Sequence, residues 1–191
     1  TRACEMFPDL YAGRTIQLGR LDWRFGHMTN LDQVALLALL ASDTPHPIVE
    51  FGTFTGRTTY NMALNTVQPI VTIDCGPNGD EKFGDYVPGE VFLGTPEAAR
   101  IELIVADSKV VDLRHLYGQA GLVIIDGGHD YDTVVADTRL AWQLVRPGGL
   151  IVWDDYSFVW PGVQQAVDAV SATHELRHIH FENLVVMRMA E

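Results

Sequence analysis

Short apolar runs alternate with helical patterns along most of this chain. Five runs are apolar at nearly every position, whereas a strand with one face in water alternates apolar and polar residues. Nearly continuous apolar runs of this length predict strands that are buried on both faces of a parallel sheet. The predicted strands span residues 48–51, 70–73, 103–106, 122–125 and 150–153.

The segments between these runs have apolar residues at the spacing of a helix. Between residues 163 and 170, apolar side chains recur three and four positions apart, which predicts an amphipathic helix. Three more helices are predicted at 29–41, where Thr29 caps a buried helix, at 58–65, and at 132–145, which Pro147, Gly148 and Gly149 stop. The tail predicts a strand pair, 176–181 and 184–189, and residues 76–99 predict a long irregular connection.

This alternation predicts an α/β fold, a three-layer α/β/α sandwich around a mostly parallel sheet. The length predicts a single domain over residues 1–191, in which 1–27 is a short N-terminal extension. In such sheets, ligands bind beyond the carboxyl ends of the strands. The residues directly after each predicted strand are therefore the candidates for a functional site.

An excess of acidic residues narrows the classes of partner. Lys and Arg number 13 against 25 Asp and Glu, and the net charge of -12 repels phosphate backbones and anionic lipid surfaces. The longest apolar run, 34–41, is too short to span a bilayer, and residues 1–24 lack the apolar segment of a signal peptide. The two cysteines suit neither a disulfide framework nor a zinc site. We therefore expect a cytoplasmic protein with no nucleic acid or membrane partner.

A glycine-bearing turn follows the first predicted strand and precedes a helix. Gly52 permits a tight turn, and the helix start offers backbone N–H groups to an anionic group such as a carboxylate. The spacing is G-x-x-x-G, which differs from the G-x-G-x-x-G of dinucleotide folds. A plain strand-to-helix turn is the alternative. The candidate ligand contacts are Glu50, Gly52, Thr53, Thr55 and Gly56.

Acids also follow the second and third predicted strands. Asp74 lies about twenty residues beyond the glycine turn, where an acid in nucleoside-binding folds accepts hydrogen bonds from ribose hydroxyls. Asp107 and Ser108 follow the third strand, where a side chain could accept a hydrogen bond from an adenine amino group. The alternative for Asp74 is an acid that caps a loop.

Three acids and a histidine follow the fourth and fifth predicted strands. Asp126, Asp154 and Asp155 can converge there, and neither loop contains Lys or Arg, so we expect the carboxylates to hold a proton or a hard cation such as Mg²⁺. The alternative is that one or two of them cap the helices that come next in the chain.

His129 lies in the same glycine-rich loop as Asp126, where an imidazole suits a general base. A structural role is the alternative for His129. By contrast, His178 and His180 lie on one face of the last strand pair and are interpreted as surface or core histidines.

Together these motifs resemble the class I S-adenosylmethionine-dependent methyltransferases, over roughly residues 28 to 189. The likeness rests on the turn at 50–56, Asp74, the pair at 107–108, and the segments 125–129 and 146–152. The segment from Asp126 to Asp155 is similar to the small macrocin O-methyltransferase-like group, and Met28 with Thr29 resembles the catechol and caffeoyl-CoA O-methyltransferases.

The resemblance implies a Rossmann-like sheet of seven strands whose last strand is antiparallel. It also implies cofactor contacts at the glycine turn, ribose at Asp74, adenine near Asp107 and Ser108, and a histidine base at His129. In metal-dependent members, an acid pattern like Asp126, Asp154 and Asp155 holds magnesium. Phe54 departs from the family, because many members carry a glycine there.

The resemblance therefore implies O-methylation of a small molecule, with S-adenosylmethionine and Mg²⁺ as cofactors and with His129 and Asp126 as catalytic residues. Two alternatives stay open. One is a catalytically silent protein of this fold that acts as a binding or scaffold subunit, and the other is an NAD(P)-dependent oxidoreductase. The sequence leaves the acceptor and the oligomeric state open, a homo-oligomer included.

Overall fold

The computed structural model describes residues 2–21, 31–77, 85–179 and 183–191. Several predicted features lie outside these ranges. They are the helix start at Met28 and Thr29, His180 and the first residue of the predicted tail turn, Glu182.

The four predicted helices lie close to their predicted positions, whereas the short helices α1 and α2 were not predicted. The predicted helix at 58–65 begins one residue earlier, and the one at 163–170 begins at Pro161, which suits the first turn of a helix because it has no N–H to leave unpaired. The α-helices are α1 (Ala3–Met6), α2 (Pro8–Tyr11), α3 (Leu31–Asp43), α4 (Arg57–Ala63), α5 (Tyr131–Leu144) and α6 (Pro161–Ser171).

All five apolar runs form strands, and the tail adds two more. The strands are β1 (Ile48–Phe51), β2 (Ile70–Asp74), β3 (Ile101–Val105), β4 (Ala120–Ile125), β5 (Val145–Trp153), β6 (Arg177–Ile179) and β7 (Leu184–Arg188). They form one seven-stranded sheet in the order β3-β2-β1-β4-β5-β7-β6. Strands β1 to β5 are parallel, and β7 runs antiparallel between β5 and β6. The predicted mostly parallel sheet with an antiparallel last strand is confirmed.

One predicted boundary is wrong. Helix α5 ends at Leu144, and β5 begins directly at Val145, five residues before the predicted start at 150, so that it contains Pro147, Gly148 and Gly149. Arg146 precedes Pro147 and therefore avoids helical geometry. Val145 before it is already extended and pairs with Ala120 of β4.

The sheet is buried on both faces, which explains its continuous apolar runs. Along β1, Val49 and Phe51 face the helices α5 and α6, whereas Ile48 packs with α3, α4 and the first residues of the chain. Phe7 and Leu10 of the N-terminal extension are buried on this second side. None of the helices in the described ranges is long and apolar enough to cross a bilayer.

Candidate functional site

The ends of four strands lie side by side at the carboxyl edge of the sheet. Backbone hydrogen bonds continue the strand ladder beyond the last paired residues, so that the predicted site residues of neighbouring strands are brought together. These bonds run from Gly52 N–H to Ile73 O (2.8 Å), from Asp126 N–H to Phe51 O (2.8 Å) and from Asp154 N–H to Ile125 O (3.0 Å).

The glycine turn after β1 is set by close packing against β4. Gly52 has φ +96°, and a Cβ at this residue would lie 1.9 Å from the carbonyl oxygen of Asp126. Gly56 has φ +87°, and its Cβ would lie 2.6 Å from the ring of Phe92. Phe54, between them, also has a positive φ of 47°. Gly52 is therefore required by the positive φ of the predicted turn and also by the neighbouring strand, which leaves no room for a Cβ.

Glu50 is a fully buried carboxyl beneath this turn. Its Oε2 accepts hydrogen bonds from the hydroxyls of Thr59 and Thr72, the latter at 2.7 Å. The Thr72 hydroxyl also lies 2.6 Å from that of Thr53. Burial raises the pKa of Glu50 to about 7, against the opposing effect of the two hydroxyls. Among the described residues, its Oε1 has no hydrogen-bond partner.

Asp74 closes the glycine turn from β2. Its Oδ2 accepts the N–H of Phe54 at 2.7 Å, and its Oδ1 accepts the N–H of Gly76 and the hydroxyl of Tyr86, both at 2.7 Å. The Tyr86 ring lies 4.5 Å from that of Phe54, and burial, followed by the bond to Asp74, raises the pKa of Tyr86. Asp74 therefore does cap a loop, and in doing so it accepts a hydroxyl hydrogen bond.

Asp107 and Ser108 have different surroundings. Asp107 is exposed and accepts the N–H of Lys109 at 2.9 Å. Ser108 donates its hydroxyl to Oδ1 of Asp137 at 2.6 Å. Asp137 is 2% exposed, and burial raises its pKa to about 6. Asp137 is not among the residues predicted from the sequence, although an acid three residues after Val134 on the apolar face of α5 is a detectable signal.

The three acids predicted to be uncompensated have a cation beside them. Arg57, the first residue of α4, is 5% exposed; burial lowers its pKa and the charge of Asp126 opposes this effect. The pKa of Asp126 is raised well above its ordinary value by burial, followed by the charges of Asp154 and Asp155. The absence of Lys and Arg from both loops was therefore misleading, because the cation comes from a helix that follows another strand.

The outer two acids are engaged in hydrogen bonds with protein groups. Asp154 is 5% exposed, and its Oδ1 accepts from the Gln33 amide at 2.8 Å and from the N–H of Asp155 at 2.6 Å. Asp155 has φ 60°, and its Oδ2 lies 2.7 Å from Nε2 of His129.

Magnesium does not fit this arrangement of side chains. Within the described ranges, no three His, Cys, Asp or Glu side chains form a group that could hold a metal ion. The predicted magnesium ligands Asp126, Asp154 and Asp155 instead bond or couple to Arg57, Gln33 and His129.

His129 is held on two sides. Besides its contact with Asp155, its ring stacks on Trp160 with centroids 3.9 Å apart and an angle of 18° between the planes. The side chain keeps 21% of its surface exposed, so that it is reachable from solvent. His178, by contrast, is exposed on β6 beside Tyr156, as the sequence predicts for a surface histidine.

A cavity of about 730 Å³ lies at the opposite edge of the sheet. Its lining includes Pro45, Gln68 and Arg100, which lie close before β1, β2 and β3 in the chain. Since ligands of open α/β sheets bind at the carboxyl ends, we assign the candidate site to the edge that carries Gly52, Asp74 and Asp126.

Comparison with known proteins agrees with this geometry. A family model described as a methyltransferase domain matches residues 49–156, more than half of the chain. A curated relative, the uncharacterised protein R132 of Acanthamoeba polyphaga mimivirus, is 42% identical over 53 residues. That match covers 27% of this chain, and it spans only 24% of the relative's length.

Solved structures share the fold at low sequence identity. The O-methyltransferase NovP aligns with a TM-score of 0.67 at 16% identity, over 85% of this chain and 81% of its own. The SAH-bound methyltransferase PaMTH1 of Podospora anserina has a TM-score of 0.62 at 21% identity, covering 86% and 80%. An O-methyltransferase of Bacillus cereus in complex with SAH has 0.62 at 19% identity, covering 87% and 84%.

Proposed function

The chain belongs to the methyltransferase-domain family, and on that premise we propose that it is an S-adenosylmethionine-dependent methyltransferase acting on an oxygen of a small-molecule acceptor. The family match covers β1 to β5 with the strand-end acids between them. This match favours a methyltransferase over an NAD(P)-dependent oxidoreductase. Structural neighbours described as O-methyltransferases support the choice of oxygen.

The hydrogen bond between Asp74 and Tyr86 carries the proposal. Asp74 is 7% exposed beside the glycine turn, and its Oδ1 accepts a hydroxyl at 2.7 Å. A ribose offers the same type of donor, so the cofactor's hydroxyls would take the place of the Tyr86 hydroxyl. The residues that would hold the cofactor are Glu50, Gly52, Thr53, Thr55, Gly56, Asp74, Asp107, Ser108 and Asp126.

Glu50 suits the amino acid end of the cofactor. Its Oε1 is buried without a partner among the described residues, and unpaired buried polar atoms are costly. An ammonium group close to this carboxylate would compensate that cost. When bound, S-adenosylmethionine supplies a methyl group that is already activated on a sulfonium.

The chain's own task is then to orient the acceptor and to remove its proton. Nε2 of His129 lies beside the Asp155 carboxylate. With the ring proton on Nε2, where it would be donated to this carboxylate, Nδ1 would be the basic atom of the neutral ring. Asp155 would stabilise the imidazolium that forms when Nδ1 takes the acceptor proton. Stacking on Trp160 limits rotation of the ring. Asp126 is the second candidate for the base.

Calorimetry with S-adenosylhomocysteine (SAH) tests the cofactor part of the proposal. Asp74→Ala should weaken binding roughly tenfold or more, because a hydrogen bond to a charged group contributes about 1.5–3 kcal/mol. Tyr86→Phe is the matched control: it removes the competing hydroxyl and leaves Asp74 in place, so SAH should bind as tightly or more tightly. Unchanged affinity in a folded Asp74→Ala protein would exclude the assignment.

Turnover, measured as SAH release with a panel of phenols and sugar hydroxyls, tests the chemistry. If the protein binds SAH but forms none from S-adenosylmethionine with any acceptor of the panel, the silent scaffold protein would be favoured instead.

Because magnesium does not fit the arrangement of these side chains, no step of this proposal runs through it. EDTA dialysis tests this conclusion directly. Loss of turnover that magnesium restores would mean that Asp126, Asp154 and Asp155 rearrange around a metal. Full turnover in EDTA would leave His129 and Asp155 as the acid–base machinery.

A further inference from the structure

Asp137 is a buried acid that the proposed chemistry does not use. It lies on α5 with 2% of its surface exposed, and its Oδ1 accepts the Ser108 hydroxyl at 2.6 Å. A Cβ added to Gly127 would lie 3.4 Å from its Oδ2, so the carboxyl also borders the loop after β4. Asp137 thus ties the loop after β3 to the centre of the candidate site.

This contact determines the direction of the Ser108 hydroxyl. A serine has one O–H to donate and two lone pairs to accept, whereas an ionised carboxylate only accepts. While Asp137 is ionised, the Ser108 proton points at Oδ1. The Ser108 oxygen then presents lone pairs to any other group that it meets.

Hydrogen-bond polarity of this kind distinguishes purines. Adenine carries an amino donor at its sixth position, whereas hypoxanthine carries a carbonyl acceptor there. An oxygen that can only accept would bind the amino group and repel the carbonyl. Ser108 lies three residues beyond Val105, the β3 residue that pairs with Asp74, and this is where a base would lie if its ribose were bound at Asp74.

We propose that Asp137 is a specificity-determining residue, which holds the Ser108 oxygen as a hydrogen-bond acceptor and thereby selects a 6-amino purine over a 6-oxo purine. This inference rests on the proposed function, because it requires the nucleoside to bind across β2 and β3. Asp137 itself touches no ligand, so it is a positioning residue.

Protonation of Asp137 should reverse the bond. Burial raises its pKa to about 6, so that it is ionised at pH 8 and protonated at pH 5. The charged groups that act on it are Lys109, Asp107 and Asp130. Once protonated, Asp137 can donate to Ser108, and the Ser108 hydroxyl can then donate to a ligand carbonyl.

The test compares the affinities of SAH and S-inosylhomocysteine, its hypoxanthine analogue, by calorimetry. At pH 8 the parent should bind SAH at least about tenfold more tightly than the analogue, since a mismatched acceptor leaves polar groups unpaired. Ser108→Ala should reduce this ratio to within about threefold, and Ser108→Thr, which keeps the hydroxyl, should retain it. Asp137→Ala should also reduce the ratio, with Asp137→Leu, which is similar in size and cannot accept a hydrogen bond, as a second variant should the alanine protein fail to fold. At pH 5 the affinity of the parent for SAH relative to S-inosylhomocysteine should be lower than at pH 8, whereas the relative affinity of Ser108→Ala should be the same at both pH values.

Each result assigns success or failure to a distinct step. An unchanged ratio in Ser108→Ala would overturn base reading by Ser108. A ratio that collapses in Ser108→Ala but survives both Asp137 variants would overturn the role of Asp137. Failure of the parent to bind SAH at all would overturn the proposed function and this inference together, whereas tight SAH binding without discrimination would overturn the inference alone.

Discussion

Replacing Glu50 with glutamine should stabilise the protein, and the gain should grow with pH. The carboxyl is fully buried, and its pKa is raised from 4.5 to about 7. The folded protein therefore binds this proton more tightly than the unfolded chain does. Between these two pH values the folded state keeps a proton that the unfolded state has lost, so the free energy of unfolding falls as pH rises.

The pKa difference sets the size of the effect. A shift from 4.5 to about 7, at 1.36 kcal/mol per pKa unit, corresponds to about 3 kcal/mol between pH 4.5 and pH 8. Glutamine is a close match for the protonated carboxyl: its amide oxygen can accept from Thr59 and Thr72 as Oε2 does, and it has no charge to bury. Glu50→Gln should thus be nearly neutral at pH 4.5 and more stable than the parent by about 3 kcal/mol at pH 8.

Urea unfolding of parent and variant at both pH values measures this difference. With a slope of about 2–3 kcal/mol per molar for a chain of this size, the midpoint at pH 8 should rise by roughly 1 M or more. Glu102→Gln makes the same change at an exposed position on β3 and should alter stability by less than about 0.5 kcal/mol at either pH. If the free energies of unfolding of Glu50→Gln and the parent differ by the same amount at pH 4.5 and pH 8, the reasoning is refuted.

The same variant separates stability from function. If Glu50 compensates the ammonium group of the cofactor, Glu50→Gln should bind SAH roughly tenfold more weakly at pH 8, since a charged hydrogen-bond partner is lost. A protein that is more stable yet binds less tightly is the expected combination. Unchanged affinity would remove Glu50 from the cofactor contacts while leaving its stability effect intact.

Three further predictions concern the turn, the base and the buried cation. Gly52→Ala should cost about 3 kcal/mol or more by urea unfolding, because its Cβ meets the Asp126 backbone; Gly118→Ala, with φ +67° and no atom within 4 Å, should cost only about 1 kcal/mol. His129→Ala should lower kcat by about 10²–10⁴ with SAH affinity nearly unchanged, and a fully active variant would contradict its role as base. Arg57→Met should raise the pKa of Asp126 further, so the stability lost relative to the parent should be larger at pH 8 than at pH 5; an equal loss at both would show that the two charges do not interact.

Local signals in the sequence determined the strands and the residues at their carboxyl ends. A strand buried on both faces must be apolar at nearly every position, and this property identified all five parallel strands without knowledge of their partners. Parallel strands place their carboxyl ends at one edge, so Gly52, Asp74 and Asp126 could be assigned to one site. The boundary at Val145 was missed because strand pairing with Ala120 decided it.

Only the tertiary structure decided which side chains meet at that edge. Gln33 bonds to Asp154 although 121 positions separate them, and Asp155 pairs with His129 across 26. Arg57 likewise acts on Asp126 from helix α4, whereas Asp126 follows strand β4. Such contacts depend on how each helix packs on the sheet and which rotamer then fits, and neither leaves a periodic signal in the sequence. Because charge compensation in a buried site is decided by these long-range neighbours, the composition of two loops could not reveal whether the acids were balanced by a cation from the protein itself.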